Sequence, residues 1–208
     1  GMDGGGGKKP VAQLRFALRK AFAECDEIVF SWEEASVQTL QVLRSLLNAT
    51  ERMNDFVAAE GKLGVLSAIP DAENNLKMKL VQSMERLRNA ARSLLESFPE
   101  LCVKVENLVD TTLSHQKELQ AACTVEELWE AEHKAQPSIA QMLEWVYDVQ
   151  VELRKELGLR EHMLQGINHD SVQKIAAFVD IWQASTYFDV QRYYARSDAV
   201  KIHGTSAD

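Results

Sequence analysis

The sequence predicts an all-α protein: an elongated bundle of about five to seven helices, with long antiparallel helices and no sheet. Three observations carry that expectation. Only four prolines and ten glycines occur in 208 residues, and five of the glycines fall within the first seven. Long stretches are therefore free of breakers. Apolar residues recur at steps of three and four rather than in alternation, which is the helical period. Hydrophobic content is 46%, enough for a packed core and too much for global disorder.

The chain divides on these criteria into three parts. Residues 1–10, GMDGGGGKKP, read as a disordered arm, because a run of glycines loses much entropy on ordering. Residues 11–185 read as a single helical bundle domain. Residues 186–208 read as a short helix near 186–197 and a disordered tail.

Val11 to Glu60 contains neither Pro nor Gly. Leu14, Leu18, Ala21, Phe22, Cys25, Val29, Trp32, Val37, Leu40, Leu43 and Leu47 make its stripe, on one long helix or on two broken near Ser31. Residues 61–70 form a breaker-rich loop, and Asp71 is placed to cap the following helix. That helix points Leu76, Leu80, Met84, Leu87, Ala91 and Leu94 inward. Lys77, Lys79, Arg86, Arg88 and Arg92 make its outer face the most basic in the chain. Pro99 marks a kink or turn. Leu101, Val105, Leu108, Val109, Thr112 and Leu119 stripe the next helix. Thr124 with Glu127 fits a capping box opening a short helix through Leu128 and Trp129.

The longest well-marked stripe belongs to a helix expected over Pro137–Gln165, about 40 Å long. Pro137 is placed in its first turn. Ile139, Met142, Val146, Val149, Leu153, Leu157 and Leu164 face one way, with Leu143 and Trp145 beside them. Gly158 weakens this helix by about 1 kcal/mol relative to Ala and is a possible bend. Gly166 closes it. Asn168 or Asp170 then caps a helix that points Val172, Ile175, Val179 and Trp182 inward.

Composition excludes several function classes. The net charge is −8, so general nucleic-acid binding is disfavoured. Cys25, Cys102 and Cys123 are odd in number and lack C-x-x-C spacing, so reduced core thiols are expected rather than a disulfide framework or zinc site. No apolar run of about 18 residues is present, and no membrane span is expected. No phosphate-cradling loop, nucleophile elbow or H-E-x-x-H occurs. No catalytic residue, cofactor or metal site is therefore expected, nor any intrinsic ATP turnover. Glu130 and His133 form a lone E-x-x-H, and a second copy, which a di-iron bundle would need, is missing. Ser31, Ser93 and Thr124 each precede a glutamate by three and are candidate sites for an acidophilic kinase. From the residues alone, the expectation is a helical interaction domain.

Pro137-Ser138-Ile139-Ala140, then Met142-Leu143-Glu144-Trp145, then Asp148, resembles the signature of the AIRIM family, also called the casein kinase II substrate family. The likeness runs from about Leu14 to Trp182. Ala17-Leu18-Arg19-Lys20-Ala21-Phe22 resembles the family's opening helix, and Leu66-Ser67-Ala68-Ile69-Pro70 a short loop before its second. The family's prolines in the first and last helices are missing here. The resemblance implies a non-catalytic adaptor of an AAA+ ATPase complex acting on large ribosomal subunit precursors, in cytoplasm and nucleus. Implied partners are AAA+ ATPases of the spermatogenesis-associated type, a small cyclin-dependent-kinase-interacting protein and, indirectly, pre-ribosomal particles. Trp129, Tyr147, Arg154 and Arg160 are the candidate partner surface, being residues the core does not wholly require. Trp145 is read either as a core anchor or as a partner hot spot. The competing class is a helical scaffold or coiled-coil interaction protein unrelated to ribosomes.

Overall fold

A computed structural model describes residues 8–59, 62, 64, 68–120, 123–129, 136–168 and 171–201. These are helical with short connections, and no strand occurs among them. The α-helices are α1 Lys8–Ala58, α2 Ala72–Leu95, α3 Ser97–Gln120, α4 Val125–Trp129, α5 Ile139–Gln165, α6 Val172–Ala184 and α7 Val190–Lys201. The all-α expectation therefore holds.

The chain forms two compact units. The first gathers residues 1–33, 100–156 and 187–208, and the second residues 34–99 and 157–186.

In the first unit, α1 buries Leu14, Leu18, Phe22, Cys25, Val29 and Trp32, as its stripe requires. There is no break near Ser31; the helix is continuous. α3 contributes Leu101, Cys102, Val105 and Val109. α5 contributes Ile139, Met142, Val146, Val149 and Leu153. α7 adds Tyr193, Ser197 and Val200, and the turn before it adds Phe188, whose ring meets Trp32 edge-on at 6.5 Å between centroids.

The second unit departs from the sequence reading in register. Val37 is exposed, whereas Thr39, Leu46 and Thr50 are buried with Leu43. A threonine enters a helix core at low cost because its hydroxyl donates to the carbonyl four residues back. Thr39 does so to Ala35 at 2.8 Å and Thr50 to Leu46 at 2.9 Å. On α2 the buried residues are Met84, Ala91 and Leu95, while Leu76 is exposed and Leu94 half-buried.

The helix ends show what the connecting residues do. Thr124 and Glu127 form the expected capping box: the Thr124 N–H donates to Glu127 Oε2 at 2.7 Å and the Glu127 N–H to Thr124 Oγ1 at 3.3 Å. A second box opens α5, with the Ser138 N–H donating to Gln141 Oε1 at 2.9 Å and the Gln141 N–H to Ser138 Oγ at 3.2 Å. Pro137 is therefore not in the first turn but just before the cap. Asp71 precedes α2 in the left-handed region, φ 60°, and its side chain makes no cap hydrogen bond. Ser171, not Asn168, caps α6, accepting from the Lys174 N–H at 3.4 Å; Asp170 lies outside the described residues. Gly166 continues α5 as a 3-10 turn over Gly166–Asn168 rather than as a left-handed cap. Pro99 sits in the first turn of α3, and the chain breaks before it, at Glu96. The last helix is Val190–Lys201 rather than 186–197.

Candidate partner-binding surface

The family-like signature of α5 is packing machinery. Pro137, buried, offers its carbonyl to Arg15 Nη1 at 3.3 Å, tying the start of α5 to α1. Met142 is core, Leu143 half-buried and Glu144 exposed. Asp148 pairs with Arg196 of α7 at 2.9 Å, and the same guanidinium lies 5.3 Å from the centre of the Trp145 ring. Trp145 is half-buried, so one side of it is spent inside the unit. Trp145→Ala is expected to destabilise the protein by about 1–2 kcal/mol, the size of a partly desolvated cation–π contact. An unchanged melting temperature would contradict this.

α7 is held from two sides because its polar residues repeat at four. Asp189 caps it, accepting from the Arg192 N–H at 3.0 Å. Arg192 and Arg196 turn to α5, reaching Glu152 at 2.6 Å and Asp148. Tyr193, Ser197 and Lys201 turn to α1, where all three donate to Asp26; the hydroxyls of Tyr193 and Ser197 each lie 2.7 Å from Oδ1. Ahead of α7, the Tyr187 N–H donates to the buried Glu156 at 2.8 Å.

Two ionisable groups of this cluster are held neutral. Burial, with the negative charges of Asp26 and Glu24, pushes the Cys25 thiol from 9.0 up to about 12. Burial first, then Cys25 and Asp26, pushes the Tyr193 hydroxyl above its ordinary 10.0. Both folded values exceed the unfolded ones. Their contribution is present in full below pH 9, and it is lost as pH rises through the folded values. Stability is thus expected to fall from about pH 9 upward, with a slope of about 1.4 kcal/mol per pH unit for each group engaged. Urea titrations from pH 8 to 11 would show it; Cys25→Ala should flatten the first part of the fall.

Three of the four candidate surface residues remain accessible. Trp129 is 66% exposed, Val125 one turn before it is 67% exposed, and Leu128 is the buried side of α4. Tyr147 is exposed on α5. Arg154 is half-exposed and paired with Glu106, Nε at 2.9 Å. Arg160 is the correction. It is 1% exposed, donates to Ser36 Oγ at 2.8 Å and lies over Trp182 at 4.1 Å and Phe98 at 5.3 Å. Two aromatic faces and a hydroxyl stabilise the guanidinium inside the second unit.

Ser31 and Ser93 are exposed, and the Ser31 hydroxyl donates to the Glu27 carbonyl at 2.9 Å. Thr124 is exposed but its hydroxyl serves the capping box. Cys25 and Cys102 are buried free thiols; Cys123 is half-buried. Glu130 and His133 lie outside the described residues. Among the described residues no acidic, His or Cys cluster is placed to hold a metal ion, and no helix is long and apolar enough to cross a membrane.

An all-α fold whose singled-out residues pack helices together or stand exposed as aromatic side chains defines an all-helical protein. The chain belongs to the CA109-like family, described as ribosome biogenesis protein C1orf109-like, whose model matches residues 12–199. It is 24% identical over 182 residues to the human AFG2-interacting ribosome maturation factor, covering 84% of this chain and 86% of that protein. The Xenopus tropicalis protein of that name is 24% identical over 158 residues, covering 76% and 77%. The mouse protein is 22% identical over 179 residues, covering 84% and 80%.

Proposed function

We propose that this chain is a non-catalytic adaptor subunit of an AAA+ ATPase complex that matures large ribosomal subunit precursors, working in cytoplasm and nucleus. The carrying observation is the family match over residues 12–199, joined to relatives whose name states an interaction with AFG2. The proposed partners are an AAA+ ATPase of the spermatogenesis-associated type and a small cyclin-dependent-kinase-interacting protein, with pre-ribosomal particles reached through them. An adaptor requires rigid helices and exposed anchors rather than reacting groups. Trp129 supplies such an anchor: a solvent-facing indole on a capped turn, of the residue type that dominates binding energy at interfaces.

The test is affinity purification of the tagged full chain from cells, with quantitative mass spectrometry. The wild type should recover the ATPase and large-subunit precursors. Trp129→Ala should melt like the wild type, because the indole is exposed, yet recover about tenfold less ATPase, a hot-spot loss of about 1.4 kcal/mol or more. Recovery of membrane-tethering or cytoskeletal proteins instead would refute the reading. Undiminished ATPase recovery by the variant would remove Trp129 from the interface.

A further inference from the structure

The side of α1 turned away from the core carries an apolar stripe of its own. Phe16 is 71% exposed and Phe30 61% exposed, with exposed Ala23 midway between them. The spacing is seven residues twice, so the three positions drift only about 20° per step and line one face over roughly 21 Å. This face is distinct from the buried series Leu14, Leu18, Cys25, Val29 and Trp32. Two large aromatics left in water at heptad spacing match the pattern by which one helix receives another.

The charge around the stripe selects what can lie on it. Residues 21–33 contain four acids, Glu24, Asp26, Glu27 and Glu33, and no lysine or arginine. Lys20 pairs with Glu24 at 3.7 Å and Lys201 with Asp26, so Glu27 and Glu33 set the sign at the Phe30 end, while Arg19 stands beside the stripe between Phe16 and Ala23. Beside Phe30 the surface dips into a shallow open groove lined by Asp26, Glu27, Phe30, Ser31 and Tyr194. Its lining thus combines two acidic residues with two aromatic ones. Phosphate-rich nucleic acid and anionic lipid are repelled by this field.

We propose that the Phe16–Ala23–Phe30 face of α1, with the groove at Phe30, docks a basic amphipathic helix of a partner protein. Apolar residues of that helix pack on the two phenylalanines, and its flanking lysine or arginine side chains reach Glu27 and Glu33. The site is separate from Trp129 and does not require the ATPase reading to hold.

The probe is a labelled synthetic helix of three heptads with leucine at the inner positions and lysine at the flanks. A twin carries glutamate at the flanks. Binding to the full chain is read by fluorescence anisotropy at low and high salt. The lysine peptide should bind and weaken steeply with salt, and the glutamate twin should bind at least about tenfold more weakly. Phe30→Ala and Glu27→Lys should each weaken the lysine peptide about tenfold, whereas Val103→Ala, another exposed apolar position on this unit, should not. Circular dichroism of each variant should match the wild type, since Phe30 and Glu27 are exposed. Equal binding of both peptides, or insensitivity to Phe30→Ala, overturns the proposal. So does a wild-type dimer in sedimentation that Phe30→Ala dissolves, because the face would then be the chain's own self-contact.

Discussion

Trp182→Ala is expected to cost about 3–5 kcal/mol, the usual range for deleting a buried aromatic. Trp182 is buried, its ring meets Phe98 and Phe178 edge-on at centroid distances of 5.9 and 5.4 Å, and it lies 4.1 Å beneath the Arg160 guanidinium. Its indole N–H donates to the Ser36 carbonyl at 3.0 Å. Removing the indole takes away packing for two aromatics and part of the compensation for a buried cation in one step. For a chain of this size each kcal/mol moves the melting temperature by about 2–4 °C, so a fall of roughly 6–20 °C should appear in a thermal melt at 222 nm. Trp182→Phe keeps a ring but loses the hydrogen bond to the Ser36 carbonyl and should lie between. A loss below about 1 kcal/mol for the alanine variant would show that the second unit does not depend on this cluster.

Asp26→Ala is expected to loosen α7 from α1. Three donors of α7 converge on that single carboxylate, and the Ser197 and Tyr193 side chains are buried. A buried hydroxyl left without its acceptor costs about 1–3 kcal/mol; Ser197 loses Asp26, the Tyr193 hydroxyl keeps only the Phe22 carbonyl at 3.4 Å, and the Lys201 pair is lost as well. Hydrogen exchange of residues 190–201 should accelerate by at least about tenfold for each 1.4 kcal/mol lost. Asp26→Asn, which keeps one acceptor oxygen, should fall between. Wild-type exchange in 190–201 would refute the staple.

The stripes of α3 and of α5 as far as Leu153 were legible because apolar residues recur there at steps of three and four. Trp182 was legible for the same reason. The register of α1 beyond Trp32 was not: Thr39 and Thr50 enter the core and Val37 leaves it, and a threonine bonded to its own helix gives no apolar signal. Arg160, expected at the surface as a residue the core does not wholly require, is buried against Ser36, 124 positions away, and against Phe98 and Trp182. Ser138 and Gln141 form an S-x-x-Q signature that marks the start of α5 at Ile139, two residues after the start that Pro137 suggests. The stripe of Phe16 and Phe30 was hidden by its neighbours. On a helix with a strong buried face, a second heptad row of aromatics reads as scatter until exposure separates the two.

The partition of the chain has a consequence for how it leaves the ribosome. All residues of the second unit, 34–99 and 157–186, are synthesised before the last segment of the first, 187–208. The closing contacts of the first unit join residues 167 to 175 positions apart, from Asp26 to Tyr193, Ser197 and Lys201. Closure over such separations is slow, and these contacts form only once residues 193–201 have been synthesised. Until then Trp32, Phe22 and Cys25 lack the cover of Phe188 and Tyr193, so the nascent first unit exposes apolar surface of the kind that chaperones hold.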